Sequence, residues 1–148
     1  MRKIVLALLA AVVFSGVAFA QSGYYIAASA GYPGAAIHFG IEDVGVTNLD
    51  ARINLGYSYV GTSALSFGLD ALYQLDVDMS EVPVDVYVGG GVGATFGGSF
   101  LIKALVGGSY GLAEVGVENM SVFVEVGPTF SVGGSFGADA RLGVAYAF

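Results

Sequence analysis

The chain has 148 residues, with 24 glycines, 55% hydrophobic residues, only 11% charged residues and a net charge of −7. That length points to a single domain, and so few charges exclude an ordinary soluble surface, since a typical soluble domain has about a quarter of its residues charged. Cysteine is absent, which excludes disulfides, thiolate catalysis and cysteine metal sites.

The first element is a leader. Arg2 and Lys3 precede an apolar run over 4–14, and Ala18-Phe19-Ala20 forms a small-x-small cleavage site. We expect a cleavable signal peptide at 1–20 and one domain at 21–148, because the run is too short to anchor a membrane helix. Its removal leaves Arg52, Lys103 and Arg141 as the only basic residues against all twelve acids. A chain this acidic is a poor nucleic-acid binder.

Eight segments with period-two alternation follow, at 23–31, 35–42, 48–60, 64–75, 82–95, 100–110, 120–130 and 136–148, separated by Gly, Pro, Asn and Ser clusters. No helix is expected. The third segment is the clearest, with Leu49, Ala51, Ile53, Leu55, Tyr57 and Tyr59 on one face and Asp50, Arg52, Asn54, Gly56 and Ser58 on the other. The fifth sets valines against Asp85, Tyr87, Gly89, Gly91 and Gly93, glycines that make room for long side chains from neighbouring strands. The last alternates Leu142, Val144, Tyr146 and Phe148 with Asp139, Arg141, Gly143, Ala145 and Ala147.

Alternation alone does not say which face is inside. The polar faces are rich in Gly, Ser and Ala, side chains suited to a crowded lumen rather than a solvated surface. The aromatics also sort by height if the chain runs up and down eight times. Tyr32, Tyr57, Tyr59, Phe67, Phe96, Phe100, Phe130 and Phe136 fall at the upper strand ends, and Tyr24, Tyr73, Tyr110, Tyr146 and Phe148 at the lower ends. Two such girdles are what a bilayer's two interfaces select. A bilayer offers no water to an unpaired strand edge, so the sheet must close and the first strand must pair with the eighth. The fold class expected is an all-β, eight-stranded antiparallel up-and-down transmembrane β-barrel.

With this pattern the chain resembles the small eight-stranded outer-membrane β-barrel proteins, the OmpA-like transmembrane domain and the OmpX type, over its whole length after the leader. The most specific element is the end, Tyr146-Ala147-Phe148, similar to the terminal-Phe signal read by the outer-membrane insertion machinery. The resemblance implies a location in the bacterial outer membrane, with that membrane's lipid and the insertion machinery as partners. It implies an insertion signal formed by Leu142, Val144, Tyr146 and Phe148. Outer connections in that group are usually long, whereas here they are tight and the periplasmic ones are longer, which argues against adhesion or capture by outer loops.

The polar faces bring together Glu42, Asp50, Arg52, Asp70, Asp85, Lys103, Glu125, Asp139 and Arg141. The reading preferred is a structural charge network that fills the lumen, with Arg141 pairing with Glu125 or acids near the first strands, and a role in envelope integrity. The alternatives are a narrow porin-like channel for small solutes and a soluble secreted barrel binding an apolar ligand. His38 shares the lumen with Ser66 and Asp70, but no order or spacing marks a Ser-His-Asp set, and no enzyme activity or cofactor is expected. The run Gly89 to Ala94 loosely matches a dinucleotide fingerprint but lacks the helix that motif opens. The acids Asp43, Asp76, Asp78, Glu81, Glu114 and Glu118 read as a solvated rim, with a weak cation site at Asp76, Asp78 and Glu81 as the sharper reading. The outer turns carry no Lys or Arg, which predicts no strong lipopolysaccharide phosphate site.

Overall fold

The computed structural model describes residues 23–60, 63–77 and 84–148. The leader at 1–20, Gly61, Thr62, Asp78 and Glu81 lie outside them, so the expected signal peptide and the cation reading at Asp76, Asp78 and Glu81 do too.

Eight strands form one closed antiparallel ring in sequence order. They are β1 (Tyr24–Tyr32), β2 (Gly34–Ile41), β3 (Leu49–Ser58), β4 (Ala64–Leu75), β5 (Val84–Thr95), β6 (Phe100–Gly111), β7 (Met120–Ser131) and β8 (Phe136–Ala147). The ring closes through β1 and β8, from Tyr25 opposite Ala147 to Tyr32 opposite Ala140. The fold class expected from sequence is the one observed. Strand limits differ by up to two residues at most ends, the ordinary uncertainty where pairing frays.

Turn chemistry sets the two ends apart. At one end β1 and β2 are joined by Pro33 alone, and four-residue connections at 96–99 and 132–135 place Gly98, Gly133 and Gly134 at positive φ, where a Cβ would be strained. At the other end the connections at 42–48 and 112–119 are longer and use Asn48 and Asn119 in the left-handed region. The second of these also holds a 3₁₀ turn, Ala113–Val115, ended by Gly116 at φ 85°, where no helix was expected.

The side-chain sorting reverses that of a water-soluble barrel. Ile37, Leu55, Leu69, Val92, Ile102, Val124, Val126 and Leu142 are exposed on the outer face. The girdle residues Tyr32, Tyr57, Tyr59, Phe67, Phe96, Phe100, Phe130, Phe136, Tyr73, Tyr146 and Phe148 point outward with them. Ser29, His38, Asp50, Arg52, Asn54, Asp70 and Glu125 are buried within. Three large rings share that interior: Tyr25, Tyr87 and Phe123 lie over Gly40, Gly107 and Gly143 of a neighbouring strand, where an added Cβ would overlap each ring. A narrow barrel has no room for two side chains at the same height on adjacent strands when one is aromatic, so glycine stands beneath each.

Candidate functional site

The lumen holds a layer of polar groups near mid-height, drawn from seven strands. Arg52 on β3 is its hub. The Nε and Nη2 of Arg52 donate to Asp70 Oδ2 on β4 at 3.1 and 2.8 Å, and Nη1 and Nη2 donate to Glu125 on β7 at 2.5 and 3.1 Å. Lys103 Nζ on β6 meets the same Asp70 oxygen at 2.9 Å, and Tyr87 on β5 donates its hydroxyl to Glu125 Oε1 at 3.0 Å. Two cations and two carboxylates therefore cancel within one cluster. Arg52 is 3% exposed, so this cancellation is what makes its burial tolerable. The planar guanidinium serves both acids at once, which an ammonium would not do.

Beside this cluster runs a neutral relay from β1 to β3. Ser29 Oγ lies 2.8 Å from His38 Nε2, and His38 Nδ1 lies 2.5 Å from Asn54 Oδ1. His38 is fully buried, with its ring edge-on to Phe123 at 6.1 Å. A neutral imidazole that donates from Nδ1 to the amide oxygen and accepts at Nε2 from the serine hydroxyl uses both ring nitrogens. The order resembles a nucleophile, base and orienting group, but His38 is fully buried and neither it nor Ser29 is among the residues lining the two lumen cavities. The partners of His38 are Ser29 and Asn54, not Ser66 or Asp70. Parity put His38, Asn54, Ser66 and Asp70 on the inner face, but it is the strand register that sets His38 opposite Asn54 on β3 and one inner-face position along β1 from Ser29, which stands opposite Ala36.

The remaining acids and Arg141 sit apart from the hub. Arg141 does not pair with Glu125; it turns back to Asp139 on its own strand, Nε to Oδ1 at 2.6 Å and Nη2 to Oδ2 at 2.5 Å. Two positions along a strand place both side chains on one face about 7 Å apart at the backbone, close enough for the fork to close. Asp50 is buried but held by neutral groups, accepting from Gln74 Nε2 at 3.0 Å and from the Asp43 amide at 3.1 Å. Glu42 lies at the lower mouth, half-buried, and Asp85 is exposed at the same end. Burial, together with Asp50 and Asp43, pushes the Glu42 carboxyl above its ordinary range.

The layer divides the lumen into two cavities. One, of about 340 Å³, opens at the tight-hairpin end; the other, of about 200 Å³, opens at the long-connection end. Among the described residues no cluster of His, Asp and Glu is arranged to hold a metal ion. Tyr25, Ser29 and Phe123 were not among the interior residues expected from sequence, although strict parity counted along β1 and β7 places each of them there; Asn54 was on the expected inner face but was not paired with His38.

A closed eight-stranded ring with an apolar exterior and a hydrogen-bonded polar interior is the fold of the small outer-membrane β-barrels. No family model and no curated protein matches the chain. Among solved structures, the N-terminal β-barrel domain of Pseudomonas aeruginosa OprF is similar with a TM-score of 0.61 at 14% identity, over 86% of this chain and 96% of that one. A major outer membrane protein from Thermus thermophilus is similar with a TM-score of 0.62 at 16% identity, over 86% and 100%. A structure from the de novo design of transmembrane β-barrels is similar at 0.52 and 16%, over 86% and 94%. Likeness at these identities speaks for the fold alone. That a designed barrel shares it underlines that function has to be argued from this chain's own lumen and surface.

Proposed function

We propose that this chain is an integral protein of the bacterial outer membrane whose plugged barrel serves envelope integrity. The observation that carries the reading is the inverted sorting of side chains, with Ile, Leu, Val, Phe and Tyr exposed all round the outside and Arg52, Asp70 and Glu125 buried and ion-paired inside. Lipid is the solvent that accepts such an exterior, and only a closed ring leaves no strand edge unpaired in it. The same polarity disfavours a soluble barrel with an apolar ligand, which would need a greasy interior and a charged surface. Residues 1–20 supply the export signal in this reading. Leu142, Val144, Tyr146 and Phe148, all exposed on the outer face of the seam strand and its end, supply the contact for the insertion machinery. The long connections lie on the periplasmic side.

Membrane fractionation combined with gel migration before and after boiling tests this. A folded barrel stays with the outer membrane through carbonate washing and changes mobility on heating; recovery in the soluble fraction with a single mobility overturns it.

A second reading, a narrow path for small solutes, draws support from the two cavities, which only the Arg52 layer separates. Planar-bilayer recordings decide between them: the plugged barrel gives no resolved conductance steps, and a channel does.

A further inference from the structure

The smaller cavity, at the long-connection end, carries an unbalanced charge. Three charged side chains line it, Glu42, Asp50 and Arg52. Arg52 is already engaged by Asp70 and Glu125, which leaves two carboxylates that no Lys, Arg or His pairs with among the described residues. Asp50 is 6% exposed, and its two oxygens accept only from neutral donors, Gln74 Nε2 and the Asp43 amide. Glu42 is half-buried at the mouth, where burial and the charges of Asp50 and Asp43 push its carboxyl above the ordinary range. The larger cavity differs, because its Lys103 is bonded to Asp70 and its Arg141 to Asp139. Crowded carboxylates without a cation are unfavourable, so a positive charge that enters the smaller cavity relieves both.

The walls select the kind of cation. Ala27, Leu72, Met120, Phe123, Ala145 and Ala147 give the cavity an apolar lining, and Tyr25 and Tyr87 add their rings. Aromatic rings and a thioether are polarisable surfaces that accept a nearby positive charge better than an aliphatic wall does. A bare metal ion is poorly served, since among the described residues no cluster of His, Asp and Glu is arranged to hold one. An ion that brings its own apolar body fits the lining instead. The space, about 200 Å³, holds roughly six or seven groups the size of a water molecule at ~30 Å³ each.

We infer that the smaller cavity binds a small organic cation, an ammonium group on a short apolar body, with its charge against the Glu42 carboxylate, Asp50 behind it, and its body among Leu72, Met120 and Phe123. The Arg52 layer closes the far end, so the ligand enters and leaves by one mouth, which faces the periplasm in the orientation proposed above. Such a site goes beyond the envelope role and requires no conduction.

The test uses the folded chain in micelles of an uncharged detergent, followed by ¹H–¹⁵N NMR, with n-butylammonium chloride as the probe, 1-butanol as its neutral counterpart and sodium chloride to hold ionic strength constant. Butylammonium should shift the backbone amides of Glu42, Asp50 and 119–121 saturably, and 1-butanol should bind about tenfold more weakly or less. Glu42→Gln keeps the side chain's shape, removes its charge and should weaken butylammonium about tenfold. Ala147→Leu fills the cavity, keeps both acids and should weaken it as much. Asp85→Asn, exposed at the same end but outside the cavity lining, should change it less than about twofold. The proposal is overturned by an absence of saturable shifts, by equal response to 1-butanol, by a Glu42→Gln variant that binds as well as the parent chain, or by an Asp85→Asn variant that loses as much as Glu42→Gln. If Ala147→Leu does not fold, the other two variants and the two-probe comparison still decide.

Discussion

Glu125 and Arg141 stand opposite each other in register on β7 and β8, yet Glu125 bonds Arg52 across the lumen and Arg141 bonds Asp139 on its own strand. Adjacency in the sheet did not decide the pairing. Arg52 offers Glu125 two hydrogen bonds at a buried site and Tyr87 adds a third, whereas Arg141 finds a carboxylate two residues away near the open cavity. The two arginines should therefore carry unequal weight. Arg52→Met leaves Asp70 and Glu125 buried with Lys103 alone and should cost about 3–5 kcal/mol in urea unfolding from micelles. Arg141→Met, at a partly open pair, should cost about 1 kcal/mol or less. Equal losses would show that the hub is not where the structure places it.

The ring-over-glycine pairs make a packing prediction. Gly40→Ala drives a methyl group into the Tyr25 ring and should destabilise the barrel by roughly 1–3 kcal/mol. Tyr25→Leu removes the part of the ring that the methyl group meets, so the double variant should recover most of the loss. A double-mutant cycle in urea checks this, and strictly additive losses would contradict the overlap.

Phe148 is 73% exposed, and its ring meets only Tyr146 edge-on among the aromatic contacts, so the interior does not depend on it. Deleting it should leave refolding of purified chain into micelles nearly unchanged while sharply lowering the folded fraction recovered from cells. A normal cellular yield would remove its assignment as an insertion signal.

The Glu42 carboxyl is held above its ordinary range by burial and by Asp50 and Asp43. In the folded state it keeps its proton to higher pH than in the unfolded chain, so the folded state binds more protons between the ordinary carboxylate range and the raised value. Stability is therefore greatest below that window and is lost as pH rises through it. Glu42→Gln should stabilise the barrel at neutral pH, and the advantage should shrink as pH falls through the window. Thermal unfolding of both chains across a pH series measures this; a constant difference would mean that Glu42 does not titrate in that window.

The fold was legible because every strand obeys one rule. Period-two alternation over segments such as 64–75, whose limits match β4 exactly as observed, leaves few architectures open once the charges are few and the small residues face inward. Parity also placed Arg52, Asp70, Lys103 and Glu125 on the inner face. It could not say who bonds whom, because pairing depends on relative height, and height depends on the stagger of strands that are distant in sequence. Arg52 and Glu125 are 73 residues apart, and no local pattern links them. Glu42 and Asp85 kept the right parity yet lie at the mouth, where water competes for them.

β3 and β7 are four places apart in a ring of eight, so the bond from Arg52 to Glu125 spans a diameter. Strand number and tilt fix the circumference of such a ring but leave its cross-section free to flatten into an ellipse. Flattening in either direction lengthens or shortens that diameter, and a two-pronged ion pair tolerates neither. The pair acts as a tie-rod that resists either distortion.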